Sequence, residues 1–164
     1  GEEGDILVRE PSMALGYARA EDNAEAYDEE GFFRMGDLGR LVEGDHIICT
    51  GRKKDLIIRA GENISAREIE DVLFASPLIE EVAVVSMPSK RTGEAICAFI
   101  VPAAGAAIEL ADLAMTVNTA GLARQKTPEH ILLVTDLPKT ASGKVRKDQL
   151  RHIAAEEASK KDLT

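Results

Sequence analysis

The chain has 164 residues, 45% hydrophobic and 30% charged, the balance of a folded globular protein rather than a disordered one. A formal charge of −9 argues against general nucleic-acid binding, which draws most of its affinity from a basic face. No apolar run approaches the roughly 18–20 residues that span a bilayer and no charged-then-apolar leader opens the chain, so no transmembrane segment is expected and the expected location is cytoplasmic. The length suits one ordinary domain, or a small domain plus a piece of another. Aromatic residues make up only 4% and Trp is absent, so the core must be aliphatic. Cys49 and Cys97 both lie in apolar runs and read as reduced, buried small hydrophobes.

In chain order, Asp5–Arg9 reads as a strand, followed by Pro, Gly and Ser punctuation. Residues 1–31 hold ten acidic residues against Arg9 and Arg19, nearly the whole charge surplus. A short helix is expected at Asp22–Tyr27. FFRMGDLGRLVEGDHIICTGR reads as two strands turning at Glu43-Gly44-Asp45, a β-hairpin. LIIR with AGEN suggests a short strand and turn. Ser65, with Glu68 three residues on, is a capping-box signature for a helix over Ala66–Ala75, whose Ile69, Val72 and Leu73 form one apolar face. EEVAVVSMPS and EAICAFIVP are two apolar strands, followed by a helix over Glu109–Ala123, a strand in HILLVTDLP and a last helix over Arg146–Lys160.

From about residue 55 this β-α-β-β-α-β order, then a basic loop and a helix, describes a small α+β domain. Residues 1–53 hold hairpins that need another sheet to pack on, because an isolated hairpin is marginal in water.

Four short motifs could carry chemistry. Asp37 stands between two glycines in RMGDLGR, where an unhindered carboxylate can accept hydrogen bonds from a vicinal diol; a turn aspartate explains the same letters. Arg52 in GRKKD offers a planar fork of donors for ribose or phosphate oxygens, and Lys54 lies at the boundary between the two parts, a plausible hinge or a solvated turn. Gly61 and Glu62 in AGENIS precede a helix, where close backbone approach and free amides can receive an anion, or simply cap the helix. PKTASGKVRK (138–147) carries four positive charges and no acid. Its small polar residues leave Lys144 on a loop expected to be mobile, a compact charge suited to a phosphoryl group in transfer. His46, His130 and His152 have no metal-ligand spacing, and no metal site is expected. GxSxG, CxxC and GxxxxGK[ST] motifs are absent.

Taken in order, GYA, GFFRMGDLGR, GRKKDLIIRAGENISAREIE and LPKTASGKVRK resemble the C-terminal end of an acyl-adenylate-forming enzyme, and more narrowly of the fatty acyl-CoA synthetase (acyl-CoA ligase, AMP-binding) family. The resemblance runs from about Gly1 to Arg151. It implies an α+β fold: a small C-terminal lid domain, a three-stranded sheet with flanking helices, preceded by a β-hairpin remnant of the large N-terminal domain. Residues 1–53 would end that large domain, residue 54 would be the hinge and residues 55–164 the lid.

The activity implied is an AMP-forming acid–thiol ligase, which activates a carboxylic, expectedly fatty, acid as acyl-AMP and passes it to CoA; the fragment alone is expected to be inactive. ATP, Mg2+ and CoA are implied, the metal's ligands belonging to the absent N-terminal domain, which is also the expected partner. The resemblance makes Lys144 catalytic, Asp37 and Arg52 nucleotide-binding, Lys54 the hinge, and Gly61 with Glu62 part of the pantetheine tunnel. Met35 replaces a common threonine and Ala66 a common proline. The alternatives are an adenylation domain loading a carrier protein and a stand-alone, non-catalytic binding module. GENISAREIE resembles the CoA-ligase style more than the peptide-synthetase style.

Overall fold

The structure, a computed structural model, describes residues 1–162, and the chain divides into two compact units, residues 1–54 and 55–164. The first unit is a three-stranded antiparallel sheet, order β1-β2-β3, with β1 at Glu3–Val8, β2 at Phe33–Val42 and β3 at His46–Arg52. A short helix, α1 (Ala20–Ala26), precedes β2. The turn at Glu43-Gly44-Asp45 is as expected, with positive φ at Gly44 and Asp45.

The only hydrophobic side chain buried in this unit is Leu38, while Leu41 (55%), Ile47 (59%) and Ile48 (45%) stay exposed. The sheet therefore lacks a core of its own. Cys49 is exposed as well, contrary to the expectation of a buried thiol: an apolar strand predicts burial only where something covers it.

The second unit holds nearly all the core. It comprises β4 (Leu56–Arg59), β5 (Glu62–Ser65), α2 (Ala66–Phe74), β6 (Ile79–Ser89), β7 (Gly93–Pro102), α3 (Leu110–Thr119), β8 (His130–Leu133) and α4 (Lys147–Asp162). The three expected strands β6, β7 and β8 are its centre, and a β4–β5 hairpin extends the sheet to five strands. The turn expected at AGEN is the tip of that hairpin, so β5 stands between Gly61 and the helix. One edge of β7 carries β6 in antiparallel register; the other carries β8, in parallel over Cys97–Ile100, and β4 at the single pair Arg59↔Gly93.

Both faces of β6 and β7 are covered, which is why they read as continuous apolar runs rather than alternating ones. Ile57, Ile69, Leu73, Val84, Ile96, Leu113 and Val117 form the core on the α2–α3 face, all fully buried. Val85, Met87, Phe99, Leu137, Leu150 and Ala154 form the other, under α4. Ser65 caps α2 by accepting from the Glu68 N–H at 3.4 Å, and Lys126 holds the Glu68 carboxylate at 2.6–2.7 Å. Glu109 and Asp112 form a capping box on α3, which stops at Thr119, short of the expected Ala123, as the chain turns through Gly121. β8 is shorter than HILLVTDLP suggests, because the chain leaves β7 after Val134 to carry Leu137 into the α4 core. No helix among the described residues is long and apolar enough to cross a membrane.

Candidate functional site

Asp37 and Arg52 come together through strand register. They are cross-strand partners on β2 and β3, and Arg52 Nε donates to Asp37 Oδ1 at 2.8 Å. A register shift between Leu38 and Gly39 sets this pairing; a slip of one residue would turn the two side chains to opposite faces. Gly39 permits the tight crossing, since a Cβ there would meet Ile6 Cδ1 at 2.8 Å and the Ile48 carbonyl at 3.0 Å. Asp37 is 15% exposed and Arg52 49%, so the carboxylate is sheltered while the guanidinium faces solvent. Beside them a shallow hollow of about 350 Å³ is lined by Met35, Gly36, Arg52, Lys53 and Lys54. A half-sheltered carboxylate with one oxygen engaged and a cationic rim suits a hydroxylated, anionic ligand.

Lys54 sits in a single 3-10 turn, Lys53–Asp55, between two anchored neighbours. Lys53 Nζ donates to Asp5 on β1 at 2.9 Å, and Asp55 accepts from Arg151 of α4 at 3.0 Å. Each neighbour is thus tied within its own unit, and the exposed Lys54 lies at the division.

The loop before α4 is tied along its backbone, not loose as its small residues suggest. Thr140 N–H donates to the Lys144 carbonyl (2.8 Å), Gly143 N–H to the Thr140 carbonyl (2.9 Å) and Arg146 N–H to the Pro138 carbonyl (2.7 Å). Of its four cations, Lys139 pairs with Glu81 (2.6 Å), Arg146 with Asp148 (3.0 Å) and Lys147 with Glu70 (2.6 Å). The Glu81 hydrogen bond holds Lys139 above the usual lysine range. Lys144 is exposed, and its ammonium has no partner among the described residues.

Gly61 and Glu62 lie at the β4–β5 tip, with Ala60 at φ 50° and Gly61 at φ 85°. Ala60 N–H donates to the Thr92 carbonyl at 2.8 Å, which seats this turn beside the β6–β7 turn. Lys139, at the foot of the Lys144 loop, is instead held near the other end of β6, at Glu81, which pairs with Val101. From Glu81 to Ser89 is about 25 Å of strand at roughly 3.3 Å per residue. The Gly61 turn and the Lys144 loop therefore attach at opposite ends of one hairpin.

Glu129 was not foreseen. Arg59 grips it with two hydrogen bonds (3.0 and 3.1 Å), Arg91 adds a third (3.0 Å) and the Ile96 N–H a fourth (3.2 Å). Burial works against its charge, but the Arg59 and Ile96 hydrogen bonds and the two positive charges prevail, holding the carboxyl below the usual range. Among the described residues no group of three or more His, Cys, Asp or Glu could hold a metal ion.

Residues 68–144 match the AMP-binding enzyme C-terminal domain. Over that stretch, just under half of its length, the chain is similar to the C-terminal domain of AMP-binding enzymes. It is similar to the medium-chain fatty-acid–CoA ligase of Escherichia coli (43% identical, covering 92% of this chain and 27% of the relative). It is also similar to a salicyl-AMP ligase / salicyl-S-ArCP synthetase of Mycobacterium tuberculosis (43% identical, covering 90% and 26%). Among solved structures, ATP-bound MatB from Rhodopseudomonas palustris superposes with a TM-score of 0.86 at 35% identity, over 93% of this chain and 30% of that one. The chain thus spans under a third of the length of those relatives.

Proposed function

We propose that the protein, in its full length, is an AMP-forming acid–thiol ligase whose two half-reactions use opposite ends of the second unit. The observation that carries this reading is the placement of Lys144 and Gly61 at the two ends of the β6–β7 hairpin. Loops so far apart cannot serve one reacting centre in one pose, whereas a unit that turns about Lys54 can present each in succession.

In the first step a carboxylate oxygen attacks the α-phosphorus of ATP and pyrophosphate leaves. Lys144 meets the negative charge that grows there, free to do so because its neighbours' charges are already committed. Asp37 accepts from the ribose hydroxyls, with Arg52 orienting its carboxylate. In the second step a thiol attacks the acyl carbon and AMP departs, with Gly61 and Glu62 along the pantetheine arm. Residues 1–53 complete a large N-terminal domain that supplies the rest of the nucleotide and acid pockets, residue 54 is the hinge and residues 55–164 the lid. Magnesium would be held in the N-terminal domain. Reliance on ATP and CoA fits a cytoplasmic enzyme.

The preferred thiol is CoA and the preferred acid a fatty acid, as in the name of the Escherichia coli relative. A carrier-bound thiol is the second reading, supported by the equally similar relative named as a salicyl-S-ArCP synthetase.

Acid-dependent ATP–pyrophosphate exchange over a panel of fatty and aryl acids tests the first step, and AMP release with CoA or with a pantetheinylated carrier tests the second. Lys144→Ala should lower exchange by about 100-fold or more while thioester formation from supplied acyl-AMP continues. Equal loss in both half-reactions would count against the assignment.

A further inference from the structure

The backbone hydrogen bonds within residues 138–146 give the Lys144 loop its form, but they do not aim it. Aim comes from its attachments. Leu137 on one side and Leu150 on the other are each 1% exposed, and their apolar burial sets depth without direction. Two ion pairs stand at the loop's feet.

At the first foot Lys139 Nζ lies 2.7 Å from one Glu81 oxygen and 2.6 Å from the other. At the second, Lys147 Nζ lies 2.6 Å from Glu70 Oε1, and these side chains are only 17% and 19% exposed. Glu70 is itself fixed, because the same oxygen accepts the Val84 N–H of β6 at 2.7 Å. Lys139 and Val145 meet in a backbone bridge, so a shift at either foot is passed to the residue beside Lys144.

We infer that Glu70 and Glu81 are positioning residues that clamp the two feet of the loop and thereby aim Lys144. This rests on the reading of Lys144 as the adenylation lysine. The acids also keep Lys139 and Lys147 from competing for the anion that Lys144 must meet, so one charge of a cationic stretch is presented. Both act through another residue, and neither touches substrate.

Glu70→Gln retains an acceptor for the Val84 N–H but removes the charge that holds Lys147; Glu81→Gln does the same to Lys139. In the full-length protein each should lower kcat for adenylation about tenfold or more, since a displacement of about an ångström is costly in a preorganised site. KM for ATP and thioester formation from supplied acyl-AMP should hold. Amide hydrogen exchange of the peptide covering residues 139–146 should quicken in the same variants. The reciprocal exchange of charges, Glu81→Lys with Lys139→Glu, should restore slow exchange and most of the rate.

Glutamine variants that match the parent in both adenylation and amide exchange would overturn the clamp, as would equal loss in both half-reactions. A Lys144→Ala protein that keeps its adenylation would overturn the reading of Lys144 itself.

Discussion

Ala60 adopts φ 50° immediately before Gly61 at φ 85°, so the β4–β5 turn places two successive residues in the left-handed region. This is the primed hairpin geometry that favours Asn-Gly, and an alanine there meets a Cβ–carbonyl conflict worth roughly 1–2 kcal/mol. Nothing lies within 4 Å of a Cβ at Gly61, so the requirement there is conformational rather than steric. Ala60→Asn should therefore raise the stability of the second unit by about 1 kcal/mol, read as an increase of several degrees in Tm. Gly61→Ala should lower it. No change for Ala60→Asn would mean that the turn carries no strain. The glycine was legible from AGEN, but the alanine's conformation was not, because nothing in the letters marks residue 60 as the first left-handed position.

Among the elements, β7 is the strand on which the others depend, and its second edge is shared. Between Gly93, where β4 attaches, and Cys97, where β8 begins, Ile96 donates its N–H to the Glu129 carboxylate and accepts the Glu129 N–H in return. Glu129 thus joins β4, through Arg59, to the start of β8. Glu129→Ala should cost about 1.5–3 kcal/mol, because two guanidiniums and a backbone N–H lose their acceptor.

The pH dependence follows from the sign of the shift. The Glu129 carboxyl lies below the usual range in the folded chain, so its contribution is complete above the ordinary glutamate range and fades as pH falls through the depressed value. Acid unfolding of Glu129→Gln should lack that contribution and begin from lower stability at neutral pH. Identical acid transitions in parent and variant would refute the role.

The strands themselves were legible as apolar runs, and α2 from its cap and apolar face. The shared edge was not: Arg59 and Glu129 are 70 residues apart, and a lone Arg and a lone Glu carry no pairing signal.

At the scale of the whole molecule the two units differ in self-sufficiency. The second has a fully buried core on each face of its sheet, while the first buries Leu38 alone among its hydrophobic side chains. Lys53 and Lys54 at the division are both exposed. Brief trypsin treatment should cut there and leave residues 55–164 folded, with native circular dichroism, while the released 1–54 loses its structure. Survival of the small piece alone would contradict the burial pattern.

The candidate site was legible to the same uneven degree. Asp37 and Arg52 could be paired because two motifs flank one recognisable hairpin. Glu70, Glu81 and Arg151 could not be matched to their partners, because their contacts cross the fold. The sequence also suggested a loose loop around Lys144, since small residues advertise few side-chain contacts and conceal the backbone bonds.

Cys49 stands free and exposed on β3, on a sheet whose Ile47 and Ile48 are also bare. That thiol is a natural reporter. Its rate of alkylation by a maleimide measures how far the sheet is shielded, without any engineered label. Fast labelling of the 164-residue chain and slow labelling of the full-length protein would show that the remainder of the polypeptide covers this strand. Equal rates would mean that Cys49 stays open to solvent, and that the proposed N-terminal domain packs elsewhere.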